Sequence, residues 1–499
     1  MGLTLVLTPY ILYKLGIQLF AIWSLIFVVT TYLGFLDFGI SSSFAKYIAE
    51  YNAKKDFTSL NSVITCGLLF FAGYSIILVL VAYLIKDFLI VLLKIPPQLH
   101  YEFIFTMMGM IIVVAVFNIF VIFREVLIGL QRMDLSNKII IFSSFFYIFG
   151  TIFFLEKGQG IKGLVYSSAL RALVMILGSI FFSFRLLPRI KIGLKYAEKI
   201  IFKKLFNYGI KMQLSTVAGI VHFQTDKIII SYFLGLNFVT FYDLGQKIAT
   251  GVREFPIMIL SALVPAISEM DAVKDHSKLK DLYYRGSKYL ALTVFPLIFL
   301  TVILAKDIIN LWIGKGYGLA ILTLQVIILE YGLNVLTGMG TCTVRGIGKP
   351  EYETRYAVLV AVLQLILGIT LIQLIGFPGI LVSLVISGFC GNLYFLIIFH
   401  RMFKESFKEL AKKVYPKPFL GSLIAAALIF FIGEFLRNLI SFSSRWGNLF
   451  WLVLNLTIFL VVYLFLIIKM NYLKETEVRP LMVYFRPKLA DKICSMFSR

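Results

Sequence analysis

Glu50-Tyr-Asn-Ala-Lys-Lys-Asp56 returns 219 positions later as Glu269-Met-Asp-Ala-Val-Lys-Asp275, with Glu, Ala, Lys and Asp kept in place. Outward from this stretch the correspondence continues. Leu15-Gly16 meets Leu234-Gly235, Lys86-Asp87 meets Lys306-Asp307, and Gly160, Gly163 and Ser167 meet Gly376, Gly379 and Ser383. The offset drifts only between 216 and 220. A period this long marks a duplicated unit rather than a short-repeat solenoid, and internal duplication is how many membrane transporters are built.

The duplicated material is apolar. Of 499 residues 60% are hydrophobic, and the mean hydropathy is +0.91. A soluble domain averages roughly 45–50% apolar. Apolar runs of about 20 residues, long enough to cross about 30 Å of hydrocarbon as helices, recur along the chain. Period-2 patterning of a membrane barrel is absent. The spans fall at 2–14 (partial), 18–44, 60–85, 102–123, 139–155, 162–184, 207–233, 238–266, 287–304, 318–341, 356–375, 379–399, 419–438 and 447–468. The expected fold is therefore an all-α polytopic membrane protein of about fourteen helices, with no separate soluble domain.

Net charge is +22, yet its placement argues against nucleic acid as a partner. Every second loop is basic. Loops on one side of the membrane hold 35 Lys and Arg, those on the other hold 9, and four lie inside spans. This is the positive-inside pattern, and it places the even-numbered span ends and the C-terminus in the cytoplasm of a cell-membrane protein. The repeat then divides the chain. Residues 1–184 make an N-terminal lobe and 185–206 a basic cytoplasmic loop. Residues 207–399 make a C-terminal lobe, 400–468 add spans thirteen and fourteen, and 469–499 form a basic tail. Six spans per copy make the two lobes parallel, related by an axis along the membrane normal. Met1 aligns with Ile220, halfway across its span, so the repeat predicts a truncated first helix with counterparts of Asn207 to Gly219 upstream. Met1–Leu12 shows neither the charged start nor the cleavage site of a signal peptide.

Enzyme and cofactor signatures are missing. Gly346-Ile-Gly-Lys-Pro350 lacks the spacer and hydroxyl of a phosphate-binding loop, and there is no His-Glu-x-x-His. Cys66, Cys342, Cys390 and Cys494 have no metal or disulfide spacing and read as apolar fillers. No cofactor and no metal are expected.

Ionisable groups inside spans carry the functional signal, because each is costly in hydrocarbon and faces a cavity or a partner. Asp243, Lys247, Thr250 and Glu254 lie at i, i+4, i+7 and i+11 and share one helix face within about 60°. Asp243 and Lys247 are spaced to pair. The competing reading is a self-satisfied stripe that packs two helices. Arg253 points off this stripe, toward the cytoplasmic interface. Gln213, Gln224, Lys227 and Ser231 share a second face, with Asp226 nearly opposite beside His222, as a site residue or a helix-to-helix tether. Arg171 and Glu330 lie near the midplane, about 13 and 18 Å into their spans. Arg171 is placed to pair with Glu330 or to bind an anionic group, and both readings stand. Asn118, Asn334, Gln325 and Gln364 read as inter-helix hydrogen bonds, and Asp37 as an interface charge.

Several stretches resemble the Wzx-type flippases of polysaccharide biosynthesis, in the multidrug/oligosaccharidyl-lipid/polysaccharide superfamily. They are residues 8–50 (TPYILYKLG to FAKYIAE) and 225–248 (TDKIIISYFLGLNFVTFYDLGQKI). GLQRMDLSNK (129–138), RGIGKPEYETR (345–355), GIKGLVYSSAL (160–170) and GFPGILVSLVI (376–386) complete the set. The resemblance implies translocation of a polyprenyl-(pyro)phosphate-linked oligosaccharide by lobes alternating between inward- and outward-open states. It also implies membrane lipids as surroundings and a glycan polymerase or glycosyltransferases as partners. Arg171, Lys227, Lys247 and Arg253 would then be cavity cations for the anionic substrate. Asp226, Asp243, Glu254 and Glu330 would be coupling or gating acids. A cation-coupled multidrug antiporter and a lipid II-type flippase are the alternatives. A membrane glycosyltransferase or polymerase would need larger outward loops than these.

Overall fold

In a computed structural model of the chain, residues 2–34, 40–261, 263–439 and 445–473 are described. Asp37, Cys494 and the tail beyond 473 lie outside them, as do the side chains of Gln213 and His222. The first half runs α1 (Gly2–Gly34), α2 (Ser41–Ala53), α3 (Phe57–Leu92), α4 (His100–Gly129), α5 (Met133–Glu156), α6 (Gly160–Leu186), α7 (Lys199–Leu234) and α8 (Leu236–Ser261). The second half runs α9 (Val264–Ala272), α10 (His276–Ile313), α11 (Gly318–Leu336), α12 (Gly338–Gly346), α13 (Glu351–Ile375), α14 (Phe377–Phe403), α15 (Phe407–Val414), α16 (Pro416–Leu439) and α17 (Arg445–Lys469). No strand occurs among the described residues.

Twelve helical runs among the described residues are long and apolar enough to cross a membrane. They are fewer than the fourteen spans expected. The expected spans 2–14 and 18–44 are counted in one run, Leu5–Gly34, but the non-helical backbone at Gly16 separates two helices there, as expected. The segment expected as span seven is a long helix, α7, but it is not among the twelve. Its apolar stretches are interrupted by Gln213, His222, Gln224, Asp226 and Lys227.

The duplicated positions share local structure. Lys55 and Lys274 both adopt left-handed backbone, at φ 57° and 55°. The next residues, Asp56 and Asp275, each cap the following helix, accepting from Ser59 N at 3.0 Å and Lys278 N at 3.1 Å. Gly16 (φ 73°, ψ 175°) and Gly235 (φ 88°, ψ 177°) break their helices in a conformation reserved for glycine. Gly129 lets α4 approach Ile48 and the carbonyl of Ala45, and Gly346 lets α12 approach Ile267 and the carbonyl of Val264. Each of these partners is also 219 positions from its counterpart.

By packing, the chain forms two compact units. One comprises Met1–Asp243 and Ala361–Ile380, the other Leu244–Val360 and Leu381–Arg499. The cuts follow contacts and run through α8, α13 and α14. In the first unit Phe44, Phe71, Phe103 and Ile122 are buried, with Gly67 leaving room for Phe44 and Ile122. Phe142, Phe145, Phe149 and Phe153 form an outward stripe on α5, the arrangement hydrocarbon solvent favours. In the second unit Tyr283, Phe395 and Phe399 anchor a core with Leu279 and Leu410. Ala425, Ala426, Phe459 and Ile467 join α16 to α17, and Tyr463 OH donates to Leu292 O at 2.9 Å, tying α17 to α10.

Candidate substrate and coupling site

The break at Gly235 turns α7 into α8, so residues sixteen apart face each other across the hairpin. Two rungs result. Lys227 Nζ donates to Asp243 Oδ1 at 2.5 Å, with side chains only 8% and 4% exposed. On the neighbouring rung Tyr242 OH donates to Asp226 Oδ2. Gln364 of α13 donates its Nε2 to the other Asp226 oxygen at 2.7 Å. Asp226 is 1% exposed, and both of its oxygens accept a hydrogen bond. Around the rungs Tyr32 OH and Thr225 Oγ1 lie 2.5 Å apart, Thr240 Oγ1 donates to Ile17 O at 2.7 Å, and Ser231 Oγ donates to Leu93 O at 2.6 Å. These bonds all lie within the first unit. They tie the break at Gly235 to the segment beside the equivalent break at Gly16.

The expected stripe on α8 is only partly a stripe of charge. Asp243 meets Lys227 across the hairpin rather than serving only its own helix. Lys247 is half-buried. Thr250 Oγ1 donates back to Gln246 O at 2.7 Å, as a hydroxyl in a helix commonly does. Glu254 is half-buried and makes no hydrogen bond or ion pair with a described residue.

A second polar cluster lies in the second unit. Arg253 does not run out to the interface as its place on the helix suggested. Its Nη2 donates to Asn334 Oδ1 at 3.0 Å, and its guanidinium stands 5.0 Å from the Tyr331 ring centroid. A planar guanidinium satisfies both kinds of contact at once, which outweighs snorkelling. Asn334 Nδ2 in turn donates to Tyr356 OH. Glu330, one residue before Tyr331, is 1% exposed and rests where Gly388 of α14 leaves space. In the first unit Arg171 is half-buried, 5.9 Å from the Tyr147 ring centroid, and its Nε has no hydrogen-bond partner among the described residues.

Of the polar residues expected to bridge helices, Gln364, Asn334 and Gln325 do so, the last donating to Val302 O at 3.0 Å. Tyr32, Tyr242 and Tyr356 were not singled out as site residues. An aromatic ring in an apolar helix gives no periodic signal that its hydroxyl has a buried partner. No group of residues suited to a metal ion occurs among the described residues.

Residues 1–271 match the family model described as polysaccharide biosynthesis protein. The chain belongs to this family. It is a multi-pass membrane protein of a transporter family, not of an enzyme class. It is 25% identical over 430 residues to an uncharacterized membrane protein of Methanocaldococcus jannaschii, covering 81% of each chain. It is 22% identical over 344 residues to a Shigella flexneri protein named as an O-antigen transporter, covering 68% of this chain and 79% of that one. It is 21% identical over 263 residues to a Haloferax volcanii protein named as a low-salt glycan biosynthesis flippase, covering 53% and 54%. The fold resembles an inward-facing multidrug resistance MATE family transporter of the MOP superfamily, with TM-score 0.72 and 16% identity over 81% of this chain and 96% of that one. It also resembles the lipid II flippase MurJ in an inward closed conformation, with TM-score 0.68 and 16% identity over 93% and 96%. At these identities the likeness concerns the fold.

Proposed function

We propose that this family member flips a polyprenyl-(pyro)phosphate-linked oligosaccharide from the cytoplasmic to the outer leaflet of the cell membrane, for surface polysaccharide or glycoconjugate synthesis. The observation that carries the proposal is the buried Lys227–Asp243 pair between α7 and α8 of an otherwise apolar chain. A bundle that needed only to pack has no use for such a pair, since apolar residues of similar volume would serve as well or better. Protonation of Asp243 would release the Lys227 ammonium toward an anionic head group, and loss of the proton would draw it back. Arg171 and Lys247 are further cations for the pyrophosphate, with Arg253 held by Asn334 and Tyr331. Asp226, Glu254 and Glu330 are the remaining acids for coupling or gating. The relatives named for O-antigen transport and glycan flipping support this substrate class.

The shared backbone breaks, caps and glycine contacts of the two repeats support a motion of two parallel six-helix lobes in alternating access, with α16 and α17 outside the repeat. The C-terminus is then cytoplasmic. A glycan polymerase or glycosyltransferases would act beside it.

The test is complementation of a flippase-deficient strain. Arg171→Ala and Lys247→Ala are expected to lose complementation at unchanged membrane levels. Full complementation by both would remove these cations from the mechanism. A cation-coupled multidrug exporter is the second reading, favoured by the likeness to the MATE fold. It requires that expression raise resistance to cationic drugs with no effect on surface glycan.

A further inference from the structure

An apolar groove of about 710 Å³ lies in the first unit, between α3 and the start of α7. Leu69, Phe70, Gly73, Tyr74 and Ile77 form its α3 wall, and Phe202 stands opposite. Cys66, Leu69/Phe70, Gly73/Tyr74 and Ile77 recur every three or four residues, so the wall is one face of the helix. From Cys66 to Ile77 that face runs about 16 Å at 1.5 Å per residue. Half of the roughly 30 Å hydrocarbon core is the same length. The groove is therefore as long as one leaflet is deep.

The segment leading into α7 is held against α3. Asn61, 4% exposed, clamps the loop before α7, donating to Arg189 O at 3.3 Å and accepting from Lys191 N at 2.9 Å. The Cys66 thiol approaches Glu198 O at 3.7 Å. Lys199 lines the groove beside Glu198, and Lys195 and Lys203 are exposed on the same short stretch. Residues 185–211 hold eight Lys and Arg against the single carboxylate of Glu198. Leu194 and Ile200, both 78% exposed, alternate with these lysines. Apolar side chains interleaved with lysines are the composition that settles into the head-group layer.

We propose that the groove is a binding site for an anionic phospholipid, its acyl chain along α3 and its phosphate on Lys199, Lys195 and Lys203. The site is separate from the Lys227–Asp243 rungs and does not depend on the transport reading. Gly73 supplies the probe, because a Cβ built there meets nothing within 4 Å, so a larger side chain enters the groove without a clash.

The full-length chain, purified in detergent, is offered phosphatidylglycerol or phosphatidylcholine, and retained lipid is read by native mass spectrometry. Wild type is expected to retain phosphatidylglycerol about tenfold better than phosphatidylcholine, as three nearby lysines warrant. Replacing Lys195, Lys199 and Lys203 by Gln together should bring the two lipids to parity. Gly73→Phe should lose both at unchanged helical content, and Leu69→Trp should do the same if Gly73→Phe fails to fold. Equal retention of the two lipids by wild type, or undiminished retention by the groove-filling variants, would overturn the proposal. Displacement of phosphatidylglycerol by a polyprenyl phosphate at a tenth of its concentration would overturn it too, assigning the groove to a substrate tail.

Discussion

Lys227 and Asp243 make a buried ion pair whose two halves are unequal to lose. Removing Asp243 leaves an ammonium in a site that is only 8% exposed. Breaking such a pair costs about 3–5 kcal/mol, whereas replacing both members by apolar residues is close to neutral. Asp243→Ala is therefore expected to lower the melting temperature sharply in detergent, and Lys227→Met with Asp243→Leu to restore most of it. The double variant, folded but uncharged at this rung, should still fail to complement. Wild-type transport by it would make the pair structural. Gly388 is a second residue-scale test. A Cβ there would meet Glu330 Cγ at 2.6 Å, so Gly388→Ala displaces a buried carboxylate and should reduce transport more than protein level. Periodicity placed Glu330 near the midplane, but it could not show that a glycine 58 positions later makes its seat.

The helix breaks and caps belong to the scale of the element, and here the repeat makes paired predictions. Gly16 and Gly235 hold the same backbone conformation, open to glycine and costly to any other residue by about 1–3 kcal/mol. Gly16→Ala and Gly235→Ala should destabilise the chain by similar amounts in thermal melts, although neither Cβ would touch anything. The caps at Asp56 and Asp275 are likewise a pair. The Ser59 hydroxyl and amide hold the Asp56 carboxyl below its usual range, and Lys278 does so for Asp275. A carboxylate with a lowered folded-state pKa stabilises above its ordinary pKa of about 3.9 and loses that contribution as pH falls through the lowered value. The melting-temperature gap between wild type and Asp56→Asn or Asp275→Asn should thus be present at pH 7 and close under strong acid. The duplicated Glu50–Asp56 stretch ends on these caps, and the backbone shows why its residues recur: a cap and a left-handed residue are local features of four or five positions.

For the whole molecule, orientation follows from where the charge sits. In a background lacking Cys66, Cys342, Cys390 and Cys494, a membrane-impermeant maleimide is expected to label Lys315→Cys in intact cells. It should reach Lys195→Cys only after permeabilisation. The reverse pattern would invert the topology and place the basic loop outside. The number of crossings is where the apolar runs and the hydropathy reading part. Hydropathy treats Gly16 as a boundary between two spans, and the backbone there is non-helical, separating two helices within residues 2–34. It also treats α7 as an ordinary span, although its polar residues set it apart from the twelve apolar runs.

Composition, charge asymmetry and the 219-residue repeat were enough to predict an all-helical membrane protein built from duplicated stretches. These depend on solvent preference and on backbone rules that act within a few residues. Which charges meet was decided only by the tertiary structure. Helical spacing offered Asp243 a neighbour four residues away on its own helix, yet Lys227 reaches it from the preceding helix across the turn at Gly235. Gln364 reaches Asp226 from 138 residues away, and Arg253 turns inward to Asn334 instead of outward to the interface. The period of a helix says which face a side chain shares. The partner on that face is set by which helices pack against it, and where water is absent a buried charge takes the partner that packing brings.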